Sequence, residues 1–268
     1  MEIACLQTAG TPGDVEANLT SLEVAAASAA AGGADLLVTP EMFVTGYDLG
    51  DDTPARVREL ARGDLLGRVR ATARGHGIAL VVGMPELVVV DGVEHCYNVA
   101  VFVGADGVVQ ATHRKVHLFG DLDRAAFSAG DELVTTVDVA GLRIAMLICY
   151  DVEFPEAVRV AALAGAHLVL VPTAQMHPFE WVAEQVIRVR AWENQVYIAY
   201  VNHDGHEGSL DYVGRSSVVD PAGVVLTSVE HGEALLTARV EKACVERQQQ
   251  ANPYLADRRP DRYGPLSS

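Results

Sequence analysis

Continuous apolar runs that alternate with helix-like segments constrain the fold of this chain more than any other feature of its sequence. In the second half, "LRIAMLICY" is followed by "PEAVRVAALAG", "AHLVLVPTA", "FEWVAEQVIRVRAWEN" and "QVYIAYVN". Runs without a polar alternate position are strands covered on both faces, and the intervening segments have the spacing of helices. Phe179, Val182, Val186 and Val189, three and four residues apart, predict one apolar face on the longest of those helices. The first half has the same style. A strand is expected over residues 2–8, then an Ala-rich helix capped by Asp14 and stopped by Gly32 and Gly33, a strand "ADLLVTP" ending at Pro40, a helix over 55–75 and a strand "IALVVGMPE". Between the halves, the turn signals Asp91-Gly92 and Asp106-Gly107 predict two consecutive hairpins. Helices covering mixed sheets in one α/β domain follow, with residues 1–250 as the domain and 251–268 as an extended tail rich in Pro and Arg.

Charge and cysteine usage narrow the function. With 36 acidic against 20 basic residues the net charge is −16, which argues against a nucleic-acid partner. The opening "MEIACLQTAG" has neither a basic nor an apolar leader region, and no apolar stretch reaches the roughly 20 residues of a membrane span, so a cytoplasmic protein without membrane attachment is expected. The four cysteines, Cys5, Cys96, Cys149 and Cys244, form no CxxC pair and are expected to be reduced thiols. Only Lys115 and Lys242 are lysines, so an ammonium in "THRKVHLFGDLDR" marks a place where a compact point charge suits the site better than a guanidinium.

Cys149 stands where "IAMLIC" stops and a turn leads to the helix opened by Pro155. A thiol there is close to the positive end of a helix dipole, which favours a thiolate nucleophile, although free cysteine is also a common small core residue. A nucleophilic thiol needs a base and donors for an oxyanion. Histidine is the usual base, but His113 and His117 come without the local signatures of a Cys-His protease. With His95 they also make a weak metal set, lacking an HExxH helix. The other candidate base is Glu41 in "TPEMFVTGY", directly after a buried strand. One carboxylate, one ammonium and one thiol thus occupy three strand ends, the places where layered sheets form a crevice.

The segments "TPEMFVTGY", "HRKVHLFG" and "LICYDVEFPE", in this order, resemble the nitrilase superfamily of carbon–nitrogen hydrolases. The likeness extends through "NVAVFVGADGVV", "RVRAWENQVYIAYVN" and "GRSSVVDPAG" and covers nearly the whole chain. "RKVHLFGDLDRAAFSAGD" is most similar to bacterial aliphatic amidases of the 5-aminopentanamidase type. The resemblance implies a four-layer α-β-β-α sandwich that needs no cofactor or metal, a small-molecule amide substrate, and a homodimer or larger homo-oligomer to which the tail contributes. It implies Glu41 as general base, Lys115 as oxyanion stabiliser and Cys149 as nucleophile, with the Tyr150 N–H as second oxyanion donor. Its second glutamate after the lysine is replaced here by Asp121 or Asp123, the length of the loop favouring Asp123.

"PTAQMHPFEW" offers Gln175, Met176, Phe179 and Trp181 for an apolar pocket beside Cys149, or for simple helix packing, while Glu153 would favour an amine-bearing substrate. Asn194 is either a site residue or a helix cap. The same three catalytic residues would also serve a nitrilase, an N-carbamoyl amidohydrolase or an ω-amidase, the last needing Arg188 or Arg190 in the pocket. A silent binding module on this fold would keep them behind a blocked pocket.

Overall fold

The computed structural model describes residues 1–267. Two six-stranded sheets form its centre. The first contains β1 (Glu2–Gln7), β2 (Leu36–Val38), β3 (Ala79–Val90), β4 (Val93–Val103) and β5 (Val109–Arg114), with the last strand of the chain, β14 (Ala234–Arg239), beside β1. The second contains β6 (Thr135–Val139), β7 (Leu142–Met146), β8 (Leu168–Thr173), β9 (Tyr197–Asn202), β12 (Ser217–Val219) and β13 (Val225–Ser228), in the order β13-β12-β9-β8-β7-β6. A separate hairpin joins β10 (Asp204–Glu207) to β11 (Leu210–Val213). Each large sheet has three parallel strands, β1-β2-β3 and β7-β8-β9, extended by antiparallel neighbours.

Alternation along the strands sorts the apolar residues into layers. Ile3 and Cys5 of β1, with Leu168 and Leu170 of β8, meet in the core between the sheets. Ala4 and Leu6 point the other way, against α1 (Val15–Ala31) and α3 (Leu65–His76). Val169 and Val171 face α5 (Pro155–Leu163) and α6 (Ile187–Asn194). The result is the four-layer α-β-β-α sandwich. Among the described residues no helix is long and apolar enough to cross a membrane.

Local signals explain where elements begin and end. The Asp14 side chain accepts from the Ala17 N–H at 3.0 Å and starts α1. Both residues of the Asp91-Gly92 turn have positive φ, 51° and 79°, as a tight hairpin with matching twist requires. Two expectations need correction. Residues 55–75 form not one helix but α2 (Thr53–Ala61) and α3, because Asp64 accepts from the Gly67 N–H at 3.1 Å and caps a new helix. The predicted apolar face of the later helix is also shifted. A π turn over Val182–Val186 inserts a residue ahead of α6, so Val182, Ala183, Ile187 and Ala191 are buried while Phe179 and Val189 are exposed.

One contact between β3 and the turn after β2 positions everything that follows. A Cβ on Gly83 would lie 2.2 Å from the Pro40 carbonyl oxygen and 2.6 Å from the Met42 nitrogen. The absent side chain lets the turn carrying Glu41 fold across β3 toward β4 and β5. Gly83→Ala is therefore expected to lower turnover about a hundredfold by displacing Glu41, while the sheet core stays folded. Steady-state kinetics beside a thermal melt checks this outcome.

Candidate active site

Glu41, Lys115, Asp123 and Tyr47 form a buried polar array. Glu41 follows β2, Lys115 follows β5, and α4 (Gly120–Ala126) carries Asp123. Lys115 Nζ donates to Glu41 Oε1 at 2.8 Å, to Asp123 Oδ2 at 2.7 Å and to Tyr47 Oη at 3.3 Å. The Tyr47 hydroxyl donates to Asp123 Oδ1 in turn. All four side chains are buried. Burial alone would push Lys115 down, but Glu41, Tyr47 and Asp123 around it hold its pKa well above the usual lysine value. Burial raises Glu41; Lys115 opposes that rise and Asp123 adds to it, leaving the carboxyl above its ordinary range.

The nucleophile candidate lies on the opposite sheet. β7 ends at Met146, and Cys149 begins a short 3-10 turn, Cys149–Glu153, that leads into α5. Its φ is +45°, and Met42 beside Glu41 has φ +51°; both are left-handed conformations that side-chain-bearing residues adopt at a steric cost. The cysteine turn lies close to the buried array. Glu41 and Lys115 both act on the thiol there, together with the Ala174 N–H. Burial pushes Cys149 well above the ordinary thiol value; Glu41 adds to the rise, and Lys115 and the Ala174 N–H oppose it. Desolvation thus opposes the thiolate that the helix end was expected to favour, and the resting group is a neutral thiol.

Several other residues find definite places. Asp121 is fully exposed and faces Arg124 at 3.8 Å, so Asp123 is the carboxylate in the array. Gln175 is buried, its Oε1 3.8 Å from Cys149 Sγ and its Nε2 3.3 Å from the Phe179 carbonyl. Glu153 is half-buried near Gln175, and desolvation raises its carboxyl despite opposing help from Gln175 and Arg190. Tyr150 packs edge-on against Phe119 and Phe154, and Phe179 against Phe119, forming an aromatic wall next to the cysteine turn. Met176 lies outside that wall, with Tyr47 and Tyr212. Trp181 is 68% exposed and belongs neither to pocket nor to core, because the turn before the π segment directs it outward. Asn194 donates to the Arg190 carbonyl at 2.9 Å, the bond of a helix end. His95 lies against Ser128 and Tyr97, apart from His113 and His117.

Sequence reasoning missed four supports. Tyr47 and Asn98 contact the array directly, Asn98 Nδ2 reaching Glu41 Oε1 at 2.7 Å. His203 lies between two main-chain carbonyl oxygens, its Nε2 2.7 Å from that of Glu41 and its Nδ1 3.2 Å from that of Thr8. Asp151 ties the two catalytic segments together: it accepts from the His117 N–H at 2.8 Å, His117 Nδ1 at 2.7 Å, the Ile148 N–H at 3.2 Å and His113 Nε2 at 3.4 Å. His113 and His117 bracket Lys115 and, through Asp151, fasten its segment to the cysteine turn. The signal was present in "HRKVH" and "CYD", but both histidines are more than thirty residues from Asp151 in sequence.

Burial alone would raise Asp151, yet its hydrogen bonds from His113 and His117 hold it at about 2, below the ordinary 3.8. A depressed carboxylate stabilises the fold above its unfolded pKa and loses that contribution as pH falls through the folded value. Asp151→Asn is expected to cost about 2 kcal/mol at neutral pH and to flatten the acid limb of the stability curve between pH about 4 and 2. Urea unfolding at a series of pH values reads both effects.

The chain is similar to known proteins over most of their length. A Pseudomonas protegens protein described as "Hydrolase in pqqF 5'region" is 42% identical over all of this chain and 92% of its own. An (R)-stereoselective amidase of a Pseudomonas species is 36% identical across 97% of this chain and 92% of the relative. The solved amidase of Nesterenkonia sp. AN1 superposes with a TM-score of 0.85 at 36% identity, covering 97% of both chains. In one variant of that enzyme acrylamide has joined the active-site cysteine by Michael addition. Residues 2–249 match the carbon–nitrogen hydrolase family, and this chain is a member of that family, a hydrolase of the amidase type within the nitrilase superfamily.

Proposed function

We propose that the enzyme hydrolyses small aliphatic amides bearing a distal amine, such as 5-aminopentanamide, through a thioester on Cys149. Glu41 takes the thiol proton as the sulfur attacks the amide carbon. The developing oxyanion is met by the Lys115 ammonium and the Tyr150 N–H. The C–N bond then breaks, Glu41 returns the proton to the departing nitrogen, and ammonia leaves. Water activated by Glu41 cleaves the thioester. Asp123 and Tyr47 keep Lys115 charged and fixed throughout.

The preference for an amine rests on Glu153. It is a half-buried carboxylate beside Gln175 that makes no ion pair among the described residues. Its charge also raises the Cys149 thiol, which works against the nucleophile unless a cation offsets it. A substrate ammonium would supply that cation. The distal-carboxylate alternative has less support, because Arg190 is engaged with the Val152 and Glu153 carbonyls and with Glu193, and Arg188 with the Gly223 carbonyl.

The test is ammonia release from 5-aminopentanamide, pentanamide and the monoamide of glutaric acid. The amino amide is expected to lead, and Glu153→Gln is expected to reduce its kcat/KM about tenfold or more while leaving pentanamide nearly unchanged. Cys149→Ala should release nothing. Equal rates for all three amides, or a lead for the acidic one, would refute the amine preference without touching amide hydrolysis itself.

A further inference from the structure

The two oxygens of Glu41 have unequal surroundings. Oε1 accepts from Lys115 Nζ at 2.8 Å and from Asn98 Nδ2 at 2.7 Å. Oε2 is buried and has no hydrogen-bond partner. Two close donors occupy Oε1, so a proton arriving at this carboxylate goes to Oε2. We propose that Asn98 is a positioning residue that fixes Glu41 through Oε1 and thereby reserves Oε2 for the proton of Cys149. This assignment rests on the reading of Glu41 as the base.

Asn98 is well placed to do this. It lies in the middle of β4, 1% exposed, and its carbonyl accepts from the Lys115 N–H at 2.9 Å. One residue therefore sets the base through its side chain and the ammonium segment through its main chain. Turning the amide over would set an acceptor against Oε1, so the carboxylate fixes its orientation. Its own Oδ1 is left buried without a partner, a desolvation cost that an apolar residue of similar shape would avoid. Retaining an amide at that cost is what a positioning role requires and what simple packing does not.

The step balances without any further reactant. The Sγ–H bond breaks as Oε2–H forms, and sulfur bonds to the amide carbon. When the C–N bond breaks, the Oε2 proton passes to nitrogen, giving thioester and ammonia.

Asn98→Leu removes the donor with little change in shape, and Asn98→Ser is a smaller second variant. Both are assayed for kcat and KM across pH, with melting curves, beside Glu41→Gln. The expected result for Asn98→Leu is a kcat about ten- to a hundredfold lower, KM nearly unchanged, and an acid limb of kcat/KM moved to higher pH, because the Asn98 hydrogen bond helps keep Glu41 ionised. A folded Asn98→Leu with the wild-type kcat and acid limb would overturn the assignment, as would a loss matched by its unfolded fraction with the limb unmoved. If the leucine variant does not fold, the limb of Asn98→Ser decides in the same way. Turnover retained in Glu41→Gln would instead refute the base reading, whereas turnover abolished there with an unmoved limb in the Asn98 variant refutes the Asn98 role alone.

Discussion

The buried contact of Lys115 with two carboxylates is the interaction on which this structure depends. An ammonium taken out of water is costly, and it stays charged here because Glu41 and Asp123 approach within 2.8 and 2.7 Å. Two carboxylates facing one ammonium leave excess negative charge in a desolvated space. Burial is the main cause of the raised Glu41 and the raised Cys149, and a neighbouring carboxylate adds to each rise, Asp123 at Glu41 and Glu41 at Cys149. In the proposed chemistry the array therefore does not store a thiolate. It holds a base of increased basicity next to a neutral thiol, and a fixed cation where negative charge appears on the substrate oxygen.

The rest of the fold delivers that array. Glu41 and Lys115 leave the first sheet two strands apart on either side of β3 and β4, and they meet only because Gly83 has no side chain under the Glu41 turn. Cys149 comes from the other sheet. Its position relative to Lys115 is fixed by Asp151, whose carboxylate spans the two segments through His117 and Ile148. Left-handed backbone at Met42 and Cys149 turns the chain sharply beside each reactive group, and the inter-sheet core offsets the strain.

Much of the layering was legible in the sequence because burial on both faces leaves continuous apolar runs. "LRIAMLIC" contains a strand that ends three residues early, at Met146, and "AHLVLVPTA" one within two residues of its expected limits. The split at Asp64 and the π turn before α6 were not legible, since each depends on a single backbone adjustment that apolar periodicity averages over. Lys115 and Cys149 could be singled out as rare residue types at strand ends, and Glu41 as a carboxylate directly after a buried strand. Asn98 and Asp151 could not, because an Asn inside a strand and an Asp after a Tyr look like ordinary polar residues until the residues they meet are known. Trp181 shows the converse: a large apolar residue beside a site reads as pocket, but its exposure follows from the direction of one turn.

The claim that most needs testing is that Cys149 rests as a neutral thiol and becomes a nucleophile only as Glu41 accepts its proton. The direct measurement is the ultraviolet absorbance of thiolate as a function of pH, taken as the difference between the wild-type protein and Cys149→Ala so that Cys5, Cys96 and Cys244 cancel. The account predicts no Cys149 thiolate at neutral pH and a titration above the ordinary thiol range. A full thiolate signal already present below neutrality would contradict it, and would make Lys115 the partner of a stored ion pair instead of a cation waiting for the oxyanion.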